Sequence, residues 1–307
     1  MATGNRHDMS KRPKRPSVQE QRATQQRIAA QRALAAARGK RNQRLLVVLV
    51  PVLVVLVVVA VLVVVKVAGG SNSPKSGQSA APAADAVIAD VTNVPAATLD
   101  AIGKGAVQTP PRPITAEKIT ADGKPWVLYV GAEYCPYCAA ERWAMVVALS
   151  RFGTFTGLGQ TASSPSDVFA NTATLSFHGS SYASQYLAFN GVETLSNQVV
   201  NGQYAPLDAL TSKESAIVKA LNPNGSIPFV DIGGHYLING ASYDPAVLAG
   251  KTHAEIAAAL SDPSSPIAKA VDGTANVITA ALCKLTADKP ASVCGSAGVT
   301  AAAAALG

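Results

Sequence analysis

Cys135-Pro136-Tyr137-Cys138 is the grouping in this sequence whose residue types and spacing point directly to chemistry, and that chemistry is thiol–disulfide exchange. An apolar run of β type, Trp126 to Val130, leads into the pair through Gly131-Ala132-Glu133-Tyr134. A segment of helical period follows, in which Ala139, Trp143, Val146, Val147 and Ser150 share one face while Glu141, Arg142 and Arg151 lie off it. The cysteines therefore stand where a strand hands over to a helix. There, free N–H groups and the positive end of the helix dipole stabilise a thiolate, which lowers the first cysteine below the ordinary value of about 8.5. Cys135 is the expected nucleophile and Cys138 the thiol that resolves a mixed disulfide. Glu133, two residues earlier, is either a proton donor and acceptor for Cys135 or a solvated loop acid.

Several elements must position this pair. Asp122-Gly123-Lys124-Pro125 is a turn that launches the central strand. Far downstream, Ser226 to Gly240 holds two short apolar runs around Gly233-Gly234, a hairpin signal, with Pro228 at the start of the first run, where a missing N–H does least harm. Pro95 to Gly103 is a short helix, and Pro110-Pro111-Arg112-Pro113 an extended crossing. Residues 151–167 read mainly as loop and Ala173 to Phe177 as a strand. Helices are expected from the Thr211-x-x-Glu214 cap through Leu221 and over Thr252 to Leu260. Trp126 and Trp143 are core residues, Tyr182, Tyr186 and Phe189 line core or groove, and His178, His235 and His253 are surface polar groups without triad spacing.

The net charge of +7 on the 307 residues misleads about partners. Residues 1–44 carry twelve Lys/Arg against Asp8 and Glu20, a balance of +10, whereas residues 45–307 carry fourteen against seventeen acids, a balance of −3. The globular part thus has no basic surface that asks for nucleic acid. Leu45 to Val65 is a run of twenty-one apolar residues, interrupted only in kind by Pro51, and at 1.5 Å per residue it spans the roughly 30 Å of a bilayer core. It is too long, and its charged lead too extended, for a cleaved signal peptide. The expectation is one transmembrane helix over 45–66, with a basic arm (1–44) held in the cytoplasm by topogenic charge. A flexible linker (67–88), an extracytoplasmic domain (89–296) and an Ala-rich tail (297–307) follow.

A strand, Cys-x-x-Cys, a helix and a distal Ile227-Pro228 hairpin together resemble the thioredoxin superfamily. The resemblance implies an α/β thioredoxin-like fold whose Ile227–Pro228 bond is cis and whose Pro136, Tyr137, Ile227 and Pro228 meet the substrate. More closely, the chain resembles a family of membrane-anchored thioredoxin-like proteins catalogued as domain of unknown function 929. Gly131 to Trp143, Leu149 to Gly153, Ser176-Phe177-His178, Ile227-Pro228-Phe229, Cys283 to Thr286 and Pro290 to Cys294 carry that likeness. Thioredoxins place a buried carboxylate six residues before the first cysteine to move the proton of the second; Tyr129 stands there instead, which disfavours an efficient reductant. Cys-Pro-Tyr-Cys is the glutaredoxin tetrapeptide, and Asn239-Gly240 with Asp244 echoes a glutaredoxin loop. The ninety positions from Cys138 to Pro228 exceed a glutaredoxin, however, and resemble Dsb-type oxidoreductases, whose insertion between the Cys-x-x-Cys helix and the cis-Pro hairpin is helical.

Four cysteines in an outward-facing domain suit two disulfides. Cys283 and Cys294 are expected to be a structural staple, the rival being a second redox pair that feeds Cys135; a zinc site from all four is disfavoured by their spacing. No metal or cofactor is called for, since the sequence has no phosphate loop or His-Glu-x-x-His. The expected function is a membrane-anchored extracytoplasmic thiol–disulfide oxidoreductase acting on protein thiols and disulfides, as oxidase or isomerase rather than reductase. The alternative is a redox-inert thioredoxin-like binding module of the cell envelope.

Overall fold

The computed structural model describes residues 80–306. The basic arm, the apolar span and linker residues 67–79 lie outside the described residues. Among the described residues no helix is long and apolar enough to cross a membrane. The architecture is mixed α/β around a mixed sheet.

Strand β3 (Lys124–Gly131) is the middle of that sheet and is buried from Trp126 onward. Its side chains alternate between two cores. Trp126, Leu128 and Val130 join Val192, Phe229 and Leu237 on one face, while Val127 and Tyr129 join Val230, Ile232 and Ile238 on the other. A strand covered on both faces reads as a continuous apolar run, which is why this stretch is so conspicuous in the sequence. β8 (Ala188–Glu193) runs parallel to β3, pairing Trp126 with Ala188 and Gly131 with Glu193. On the other side β11 (Phe229–Ile232) runs antiparallel and turns at Gly233-Gly234 into β12 (Tyr236–Asn239). Both turn glycines have positive φ, and a Cβ on Gly234 would collide with the Glu117 carbonyl, so the turn requires glycine twice over. The short β1 (Arg112–Pro113) closes the β12 edge, and β2 (Thr120–Ala121) pairs with the start of β3.

Helix α4 (Ser212–Leu221) covers the Trp126 face through Ile217, Val218 and Leu221, and starts at the Thr211/Glu214 capping box expected from the sequence. The opposite face carries α3 (Pro136–Ser150), which begins between the two cysteines, and α6 (Pro266–Leu285), which packs along it. α6 lies outside the helices expected from the sequence although its start is well marked, with Ser265 Oγ accepting the Ile267 N–H and Pro266 in the first turn. Gly273, at its middle, lets the Lys104-Gly105 backbone approach more closely than any side chain permits.

Both ends of the expected domain move outward. Residues 80–88, expected as linker, belong to α1 (Ala80–Thr92), which buries Val87 and Val91 against α3 and α5 (His253–Ala259). The Ala-rich tail is not loose: α8 (Ala297–Ala303) buries Val299 and Ala302, and Leu306 is buried beyond it. Alanine here is packing material at a close helix–helix approach rather than low-complexity filler. Helix α2 (Ala96–Ile102) ends at Gly103, as the sequence indicates.

The segment between α3 and β11 departs from the helical insertion of Dsb-type enzymes. It holds two antiparallel ladders, β4 (Gly153–Thr156) with β7 (Ser181–Ser184) and β5 (Gly159–Ala162) with β6 (Ala173–Ser176), and the hairpin β9 (Leu195–Val200) with β10 (Gln203–Pro206). Residues 151–167, expected as loop, supply β4 and β5. Thr, Tyr and Phe at period two suit a half-buried pleat, and Phe155, Phe177, Tyr182 and Phe189 meet there with ring centres 4.9 to 6.0 Å apart.

Cys283, at the end of α6, is bonded to Cys294 in α7 (Ala291–Cys294). Closing a loop this short is worth about 2–3 kcal/mol. A protein with Cys283 and Cys294 both changed to Ser should melt lower by several degrees, at about 2–4 °C per kcal/mol for a domain of this size, with normal reactivity at Cys135. Unchanged melting with impaired Cys135 chemistry would reverse the assignment from staple to relay.

Candidate active site

Cys135 is the N-cap of α3, with extended backbone (φ −78°, ψ 120°) and Pro136 supplying the first helical φ. Its Sγ accepts the Cys138 backbone N–H at 3.3 Å, as a serine or aspartate would at a helix start. The Ile227–Pro228 bond is cis, and the Ile227 carbonyl lies 3.9 Å from Cys135 Sγ, so the distal hairpin and the cysteine turn meet. Both cysteines are free thiols and buried, Cys138 completely. The two are driven apart in acidity. Donation from the Cys138 thiol, then from the Cys138 N–H, lowers Cys135 despite the desolvation that burial imposes, and the positive charge of Arg142 adds to it. Burial pushes Cys138 well up, and its own donation to Cys135 holds its proton on. This is the division expected of a nucleophile and a resolving thiol.

Beneath the pair lies a charge that sequence periodicity does not anticipate. Glu141 and Arg142, expected off the apolar face of α3, are both fully buried, because β6 and the sheet cover one side of the helix while α6 and the Ser242-Tyr243 loop cover the other. Arg142 Nη1 donates to both Glu193 carboxylate oxygens at 3.0 and 3.1 Å, with neither side chain exposed. The same nitrogen reaches Tyr129 Oη at 3.1 Å and the Ala132 carbonyl at 3.4 Å, and Nε faces Thr174 Oγ1 at 3.4 Å. Burial raises the Tyr129 phenol well above its ordinary value even against Arg142, so Tyr129 is a neutral hydrogen-bonding group. Glu193, in turn, is a carboxylate on the neighbouring strand, raised by burial and drawn back by Arg142. Glu141 is held by the Ser242 N–H and hydroxyl at 2.8 and 3.1 Å, and burial takes it to about 7.

Residues 113–284, more than half of the chain, match the family described as Domain of unknown function (DUF929). The chain belongs to this family. No curated protein and no solved structure matches it. The DUF929 region contains the cysteine pair, the cis Ile227–Pro228 bond and both members of the buried ion pair, and stops one residue after Cys283.

Within the DUF929 domain the expected site residues fall into two groups. Cys135, Pro136, Tyr137, Cys138, Ile227 and Pro228 lie together, with Tyr137 42% exposed, Ile227 half-buried and Pro136 and Pro228 buried. Tyr137 packs edge-on to Phe169 at 5.9 Å, and the two border an open pocket of about 300 Å³ lined also by Gly240, Ala241 and Tyr243. On the other flank Tyr134 stacks flat on Tyr204 of the β9–β10 hairpin, ring centres 4.2 Å apart. Glu133 is half-buried and accepts from Ser176 Oγ at 2.7 Å, so it is neither a freely solvated acid nor bonded to Cys135. Cys283–Cys294 stands apart from this group. Arg151 at the far end of α3 bonds Asn276, Thr279 and Ser296, which places that C-terminal region at the other end of a fifteen-residue helix, about 22 Å along at 1.5 Å per residue.

Of the histidines, His178 is exposed and pairs with Asp208 at 2.7 Å, and His235 is exposed. His253 is half-buried, its Nε2 2.8 and 2.9 Å from the Thr161 and Thr174 carbonyls, and ties α5 to the β5–β6 ladder. Arg142 and Glu193 are the site residues missed from the sequence. The available signal was an arginine one turn after Cys138, which is informative only once the helix is known to be covered on both sides.

Proposed function

We propose that this chain is a thioredoxin-like thiol–disulfide oxidoreductase, held by the 45–66 span with its folded domain on the extracytoplasmic side and acting on protein thiols and disulfides. The observation that carries the reading is Cys135 as the N-cap of α3, bonded to the Cys138 N–H and faced by the cis Ile227–Pro228 loop. Supporting it is the order of elements: parallel β3 and β8 linked through the cysteine-bearing helix, then the antiparallel β11–β12 hairpin, then α6 on the same face as α3. The lowered Cys135 stabilises the reduced pair and so favours oxidase or isomerase over reductase. Tyr137, Phe169 and the cavity beside them suit an extended, partly apolar polypeptide.

A Cys138→Ser variant tests this. With the resolving thiol gone, mixed disulfides between Cys135 and its partners should accumulate in membranes of expressing cells and vanish with reductant. Cys135→Ser should trap nothing. Absence of trapped partners, together with a Cys135–Cys138 potential below about −300 mV, would favour a redox-inert scaffold instead.

A further inference from the structure

Arg142 occupies an unusual place for a guanidinium. It is fully buried, one helical turn beyond Cys138, and its Nη1 shares the Ala132 carbonyl with the backbone N–H of Cys135, which donates there at 3.2 Å. Glu193 on β8, Tyr129 on β3 and Thr174 on β6 face it, and all of their bonds go to Nη1 or Nε. Nη2 is buried and has no acceptor among the described residues. Leaving donors of a charged group unpaired in an interior is costly, and an ion pair with only a structural role would be expected to satisfy them. Cys138 stands one turn before Arg142 on the same face of α3, and its sulfur must carry negative charge for part of the reaction.

We propose that Arg142 is the cation that stabilises Cys138 as a thiolate when the Cys135–Cys138 bond opens, with Glu193 as the counter-charge that holds it in place. The inference rests on the oxidoreductase reading. In the oxidising half-reaction a protein thiolate attacks Cys135 Sγ; the new bond joins the two sulfurs, the Cys135–Cys138 bond breaks, and its electron pair leaves on Cys138. Charge therefore moves from a solvated sulfur to a fully buried one, and without a compensating cation the desolvation of Cys138 opposes the step. Arg142 supplies that charge before the bond breaks and with no need to move. The positive charge of Arg142 lowers both cysteines, and Glu193, the carboxylate paired with it at 3.0 Å, opposes that charge at close range.

The test is the titration of Cys138 in the full chain carrying Cys135→Ser, followed by thiolate ultraviolet absorbance, in which no substrate takes part. Adding R142M with E193Q, which removes both charges, should raise the Cys138 midpoint by about one pH unit, a tenfold loss of thiolate at a fixed pH. Adding E193Q alone should lower it. A double variant that keeps its near-ultraviolet circular dichroism yet titrates like its parent would overturn the proposal. If the double variant does not fold, E193Q decides, and an unchanged or raised midpoint overturns it equally. Should the midpoints move as expected while the Cys138→Ser protein traps no partners and the Cys135–Cys138 potential lies below about −300 mV, the oxidoreductase reading fails and the electrostatic assignment stands.

Discussion

Replacing Arg142 by methionine is expected to destabilise the domain by about 3–5 kcal/mol, because it leaves the Glu193 carboxylate charged and unpaired in the interior. Methionine keeps the apolar stem as far as the Nε position, so the packing of α3 is retained and the loss is concentrated at the guanidinium head that faces Glu193. The loss is a large share of the roughly 5–15 kcal/mol that keeps a domain folded. The same change made together with Glu193→Gln removes both charges and should recover most of the loss, since a buried pair often gains little over neutral replacements. Denaturant midpoints of the two single variants and the double variant close the cycle. A single Arg142→Met protein within about 1 kcal/mol of wild type would mean that water reaches the pair and that Glu193 is solvated after all.

The central strand, the cysteine turn and the Gly233-Gly234 hairpin are legible in the sequence because each rests on local rules: a both-faces-buried run, a strand-to-helix break and two left-handed glycines. The same rules apply to the β9–β10 hairpin, whose Asn201-Gly202 both adopt positive φ, an Asn-Gly turn signal between two short strands. α6 is harder to see, being made largely of Ala, Thr and Val with Gly273 at its centre, so its pattern is carried by small residues that pack closely rather than by a stripe of large ones. The ion pair was beyond local rules altogether. Arg142 and Glu193 are fifty-one positions apart and meet only because β8 lies parallel to β3, ending level with Gly131 at the cysteine turn.

Asp272, in the middle of α6, should make the protein less stable as pH rises through the neutral range. The side chain is fully buried, neither carboxylate oxygen has a hydrogen-bond partner among the described residues, and burial raises its pKa to about 8. In the unfolded chain an aspartate titrates near 3.9. Below pH ~4 the group is protonated in both states and costs nothing. Between that point and about 8 the unfolded chain has released its proton while the folded protein retains it, so each pH unit weighs against folding by about 1.4 kcal/mol. Above about 8 both states are ionised and the penalty levels off. Glu141, at about 7, adds a slope of the same sign, but its carboxylate is bonded to Ser242. Asp272→Asn keeps the shape and removes the charge, and it should raise the melting temperature at pH 7 by several degrees while leaving that at pH 4 nearly unchanged. Melting curves of the two proteins from pH 4 to 9 measure the difference directly. A difference that does not grow with pH would mean that Asp272 is ionised at little cost in the folded protein, through an acceptor-satisfying contact such as an ordered water between α6 and the Tyr243 loop.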